Sequence, residues 1–294
     1  MNQKTILGHL SAQVTILIWG MTFVTTKVLL ESFKPIEILF FRFCIGYVAL
    51  WLIAPHPLKL KNVKEEIYFA VEGFFGVTLY FLFENLALTY TLVSNVGVII
   101  SVAPFFTAIL AHRFLEEERF NACFLIGFIA AIVGIVLIIF NGNFLFETNP
   151  FGDFLALSAA LTWAVYSIIM KKISSLGYGM IQCTRRIFFY GLLFMIPFLF
   201  IFGFRWELER FGAPASLLNM LFLGLGASAL CFVTWNWSVR VLGALKTSVY
   251  IYGTPIVNIL ASVVVIGERI TLVAVVGTML TLMGLVISEG SQRR

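Results

Sequence analysis

Ten apolar stretches, arranged as two echoing sets of five, constrain this chain more than any other feature. Trp19, Lys27 and Arg42 recur at the internal spacing of Trp163, Lys171 and Arg186, at a constant offset of 144. Asn85 and Pro104 match Asn236 and Pro255 at an offset of 151. Glu118-Arg119, Gly127 and Gly134 match Glu268-Arg269, Gly277 and Gly284 at an offset of 150. A duplicated unit with an odd number of membrane crossings must lie upside down in the bilayer relative to its copy. The expected fold is an all-α integral membrane protein: ten transmembrane helices as two inverted five-helix repeats around a central cavity.

Composition agrees. With 60% hydrophobic and 12% charged residues and a mean hydropathy of +0.98, the chain is far more apolar than soluble domains. Each run approaches the roughly 20 residues that cross a bilayer core. The expected spans are 8–30, 36–54, 67–90, 93–114 and 121–140, then 152–172, 180–203, 216–239, 245–266 and 271–289. Continuous runs of this length exclude alternating barrel strands. Cys44, Cys123, Cys183 and Cys231 each lie inside an apolar run, too far apart for a zinc motif, and are read as reduced packing residues. No metal or cofactor is expected. Lys4 precedes a long apolar run without a small-residue cleavage site, so no cleavable signal peptide is expected.

The net charge of +5 does not point to nucleic acid, because the basic residues cluster in short loops and set topology. With the N-terminus inside, twelve Lys and Arg fall on the inner side and four (Lys34, Arg205, Arg210 and Arg269) on the outer. That bias places both termini in the cytoplasm of a multi-pass protein of the cell (inner) membrane. Residues 1–141 form the first repeat, 142–151 a short external linker and 152–294 the second repeat.

The stretch Ala87-Leu88-Thr89-Tyr90-Thr91, then Pro104 and Glu118-Arg119, resembles the repeat signature of the EamA-type drug/metabolite transporter superfamily. The second copy, Val241 to Lys246, Pro255 and Gly267-Glu268-Arg269-Ile270-Thr271, is more similar still. The resemblance covers roughly residues 8–289, and its specificity lies in the doubling. It implies a ten-helix exporter of amino acids or other small metabolites with a cavity between its halves. The first copy departs from the pattern at Glu117, where the family usually has Gly before Glu118, which puts loop geometry in doubt more than function.

An ionisable group in hydrocarbon costs at least about 2.5–3.5 kcal/mol, so each one asks for a partner or a task. At ~1.5 Å per residue, Glu72 lies roughly 8 Å inside the inner interface and Glu84 roughly 9 Å inside the outer one. Depth matches Arg42 to Glu84 and Arg186 to Glu72, which makes two structural ion pairs one reading. In the other, Glu84 or Arg42 meets the substrate or a proton. Asn85 is repeated as Asn236 while Glu84 becomes Trp235, so packing is shared but recognition is not. Tyr80, one turn before Glu84, brings a hydroxyl and an aromatic wall to the same face. A carboxylate among aromatic rings suits a cationic or zwitterionic amine.

Trp19 and Trp163 lie mid-span, away from the interfacial belts, and Tyr166 shares a face with Trp163. A buried indole N–H needs an acceptor, which favours a polar cavity. The candidate substrate-binding residues are therefore Trp19, Tyr80, Glu84 and Asn85 in the first repeat, and Trp163, Tyr166, Trp235 and Asn236 in the second. Tyr250, Tyr252 and Trp237 are weaker candidates, and the 31 phenylalanines are assigned to lipid-facing bulk. Pro104 and Pro255 kink their helices mid-span, as static bends or as hinges. Ala156, Ala160 and Ala164 form a small-residue stripe that serves contacts within one chain or in a homodimer.

No phosphate-binding glycine loop is present, which argues against ATP-driven transport. A secondary-active transporter of small molecules, with protons as the candidate coupling ion, accounts for these features. A passive facilitator or channel is the first alternative. An integral-membrane enzyme on lipid-linked substrates is remote, because His9, His56 and His112 are scattered and Asp153 is the one aspartate.

Overall fold

The computed structural model describes residues 3–91, 93–115, 122–140, 149–257, 260 and 271–290. Among the described residues the chain is all-helical, with ten helices. In the first repeat α1 spans Gln3–Leu29, interrupted between Gln3–Trp19 and Thr22–Leu29, α2 spans Pro35–Ile53 and α3 Val63–Tyr90. α4 comprises Val93–Ile100 and Ala103–Phe114, and α5 is Ala122–Phe140. In the second repeat α6 is Pro150–Ser175, α7 Met180–Ile201 and α8 Pro214–Leu242. α9 starts as Ala244–Ser248 and tightens into the 3-10 turn Val249–Gly253, and α10 is Leu272–Gly290. Six of the ten (α1, α2, α3, α6, α7 and α8) are long and apolar enough among the described residues to cross a bilayer. The pairs Glu118-Arg119 and Glu268-Arg269, Glu117, and most of the 142–151 linker lie outside the described residues.

Local sequence explains the helix ends. Proline stands in the first turn of α2, α6, α8 and the second part of α4, where its missing N–H has no intrahelical partner to lose. The Asn149 side chain accepts from Gly152 N–H at 3.1 Å and caps α6. Gly243 turns the chain between α8 and α9 at φ 93°, a left-handed conformation that favours glycine. Neither Pro104 nor Pro255 kinks a continuous α-helix as expected, and Pro104 stands in the first turn of a new segment. α4 is broken at Ser101–Val102 before Pro104, and Pro255 follows the change from 3-10 turn to α-helix in α9.

Contacts between the repeats come in matched pairs. α2 packs on α8 as α7 packs on α3, α1 on α8 as α6 on α3, and α1 on α9 as α6 on α4. α5 packs on its own counterpart, α10. A two-fold relation requires this reciprocity. Because each repeat's first helix sits against the other repeat, one hydrophobic core runs through both halves.

Glycines set the closest crossings. A Cβ on Gly46 would stand 3.1 Å from the Gly224 carbonyl oxygen, and one on Gly73 2.7 Å from Gly191 N. These are the same contact made twice, α2 on α8 and α3 on α7, at repeat offsets of 145 and 151. Both third helices are also π-helical at mid-length, over Gly73–Leu79 in α3 and Phe222–Leu230 in α8. π-helical turns are uncommon and concentrate at functional sites.

Candidate functional site

Where α1, α2, α3, α4, α6 and α9 converge, a cavity of about 40 Å³ opens between the repeats. Trp19, Tyr80, Glu84 and Trp163 line it, joined by Arg42, Phe81, Thr22, Ser101 and Thr254. Its volume holds a few waters and no larger solute, since one water needs ~10–15 Å³ by this measure.

Aromatic rings pack around it. Trp19 meets Trp163 edge-on at 5.2 Å between ring centres and Trp235 at 5.1 Å, and Trp163 lies 5.9 Å from Trp235. Tyr80 packs on one side of Trp163 at 4.8 Å and Tyr166 stacks on it at 4.8 Å. Phe232 sits behind them, 6.0 Å from Trp19 and 5.8 Å from both Phe43 and Tyr166. The assignment of the phenylalanines to lipid-facing bulk is thus corrected for Phe43, Phe81, Phe188 and Phe232, which are buried. Edge-to-face packing gives them favourable neighbours that lipid tails do not.

The Trp19 indole N–H donates to the Ala227 carbonyl at 2.9 Å, in the π-helical part of α8. The Trp163 and Trp235 indole N–H groups have no partner among the described residues. Trp19→Phe is therefore expected to lower stability by about 1 kcal/mol, the net worth of one hydrogen bond, whereas Trp163→Phe forfeits none. Thermal unfolding of both variants in detergent micelles checks this contrast.

Two opposite charges face the cavity. Arg42, 1% exposed, donates from Nε to Ser228 Oγ at 2.9 Å, and its guanidinium carbon lies 4.4 Å from the centre of the Phe81 ring. Its two terminal nitrogens are buried without a partner among the described residues. Glu84 is 3% exposed and within electrostatic reach of Arg42 and Tyr80. Arg42 and Glu84 nevertheless form no contact ion pair among the described residues. The serine and the phenyl ring hold the guanidinium, so the structural pair Arg42–Glu84 is not formed.

The second expected pair, Arg186–Glu72, is also corrected. Arg186 grips Glu66 with two bonds, Nε to Oε1 at 2.7 Å and Nη2 to Oε2 at 2.5 Å, and Tyr190 donates to the same carboxylate at 2.7 Å. α3 begins at Val63, four residues before the span read from hydropathy, and this brings Glu66 onto the helix at the depth of Arg186. Glu72 is fully buried, and both its oxygens lack partners among the described residues.

Four of the eight expected site residues lie behind the cavity wall rather than on it. Trp235 and Tyr166 form a second aromatic layer. Asn236 accepts from Tyr166 OH at 2.5 Å and donates to Thr184 Oγ1 at 3.0 Å, tying α8 to α6 and α7. Asn85 donates to the Pro35 carbonyl at 3.2 Å and ties α3 to α2. The adjacent residue is turned about 100° around the helix, so Asn85 cannot share the face of Glu84. Sequence reasoning missed Ser101 and Thr254 as lining residues, although Ser101 stands at the helix break before Pro104 and Thr254 immediately precedes Pro255.

The profile of the EamA-like transporter family matches residues 6–140 and again residues 150–289. The chain belongs to this family. An uncharacterized transporter of Archaeoglobus fulgidus is 28% identical over 100% of both chains. A protein of Streptantibioticus cattleyicolor, called a probable terminal-alkyne amino-acid exporter, is 25% identical over 93% of this chain and 90% of its own. A solved crystal structure has the same fold, with a TM-score of 0.78 over 98% of each chain at 19% identity. The EamA-like protein is thus a multi-pass membrane transporter of all-helical fold, and both halves of the family match contribute lining residues to the cavity.

Proposed function

We propose that this EamA-like protein is a secondary-active exporter of small zwitterionic or cationic amines, amino acids foremost, and not an enzyme. It alternates access to the cavity by rocking its two inverted repeats in the cell membrane, with both termini cytoplasmic. One observation carries the reading: a cation and a carboxylate, Arg42 and Glu84, face one aromatic cavity between the repeats without neutralising each other in contact. A zwitterion can bridge them. Its carboxylate takes the free Arg42 nitrogens as a bidentate pair, and its ammonium takes Glu84 and the faces of Tyr80 and Trp163. The amino-acid exporter among the relatives supports the substrate class. Because the cavity is too small for such a substrate as it stands, the aromatic wall must part to load it, and Pro104 and Pro255 are the proposed hinges.

Counterflow in proteoliposomes tests this. Vesicles preloaded with unlabelled amino acids are expected to take up the same labelled amino acid transiently and saturably, and to ignore sugars. Flux that rises linearly with concentration, without exchange, would favour a passive pore instead.

A further inference from the structure

Glu72 stands apart from the cavity and has no task in the site described above. It is 0% exposed, and neither carboxylate oxygen has a hydrogen-bond partner among the described residues. Two helices pack on this turn of α3. From α7, Arg186 and Tyr190 are both committed to Glu66. From α6, the Tyr166 phenol is in electrostatic reach, but its proton goes to Asn236. Lys171 and Lys172, further along α6, form no ion pair with Glu72 among the described residues. A carboxylate ion left this way would cost several kcal/mol.

Packing does not require an acid here. Glu72 is the residue immediately before the π-helical segment Gly73–Leu79, and its counterpart in the other repeat, at the offset of 151, is the buried Leu223 of the π-helical segment Phe222–Leu230. The same backbone is built with an apolar residue. The segment after Glu72 leads directly into Tyr80 and Glu84 at the cavity, so a change of charge at one end bears on the position of the other.

We propose that Glu72 is a proton-binding site that couples proton movement to substrate movement, an inference that rests on the transport reading. Buried as it is in this conformation, Glu72 holds its proton. When the repeats rock and water reaches it, the carboxyl O–H bond breaks, the electron pair stays on the carboxylate, and the proton passes to water. The return step takes a proton from water on the other side.

The test uses the full-length protein in proteoliposomes with a pH-sensitive dye inside and a mixture of the common amino acids added outside. The wild-type protein is expected to shift the internal pH on addition and to exchange labelled amino acids. Glu72→Gln and Glu72→Leu are expected to lose the pH shift, keep the exchange, and unfold thermally no earlier than wild type. A pH shift that survives in both variants would overturn the proposal. So would a wild-type protein that exchanges without moving protons, or variants that lose exchange or stability together with the shift. Absence of wild-type exchange would instead sink the transport reading, and this proposal with it.

Discussion

Glu84→Gln is expected to abolish high-affinity amino-acid exchange while leaving the protein folded. The glutamine keeps the size and loses the charge that an ammonium group would meet. One charge-assisted hydrogen bond is worth ~1.5–3 kcal/mol, so KM should rise roughly tenfold to a hundredfold. Folding should survive because Arg42 does not depend on Glu84 for contact: its Nε is held by Ser228 and its plane by Phe81. Arg42→Gln should weaken exchange independently, through the substrate carboxylate, and the double variant should be at least as impaired as either single one. Counterflow kinetics and thermal unfolding on the same preparations check both halves. Recovery of transport in the double variant would return Arg42 and Glu84 to a purely structural pair.

Gly284→Leu is expected to destabilise the fold strongly. A Cβ at this position would lie 2.5 Å from both Ala131 N and the Gly127 carbonyl oxygen across the α5–α10 crossing. Both obstacles are backbone, so no side-chain rotation relieves them, and overpacking of this kind costs about 3 kcal/mol or more. The expected result is loss of the monodisperse, thermally cooperative protein in detergent. Gly212→Ala is the control, because a Cβ there meets nothing within 4 Å, and it should behave as wild type.

The fold was legible because duplication leaves two records of one pattern, and helices in a bilayer need long apolar runs. The convergence of Trp19, Trp163 and Trp235 was legible for a related reason: a tryptophan far from the interface must pack inside the bundle. Arg186 was assigned the wrong carboxylate because hydropathy cannot see that α3 starts at Val63 and runs through the charged residues Lys64, Glu65 and Glu66, and depth alone does not choose between Glu66 and Glu72. The glycine crossings at Gly46, Gly73, Gly191 and Gly224 were present as a repeat offset, but a small residue in an apolar run signals nothing until its neighbour is known. Glu37 shows the same limit. It accepts from Lys34 N–H, Arg205 N–H and Arg210 Nη1, a buried tie between the 31–34 and 203–213 segments. In the sequence, Arg205 and Arg210 counted only as topology charges.

The most direct test of alternating access uses one cysteine at the cavity, at Thr22 or Ser101, with Cys44, Cys123, Cys183 and Cys231 replaced by alanine. A membrane-impermeant thiol reagent is applied from one side of the membrane at a time, with and without a transported amino acid. Both positions line the cavity between the two repeats. The predicted result is that the same cysteine reacts from either side and that the amino acid protects it from both. Reaction from one side alone, unaffected by any amino acid, would contradict the account.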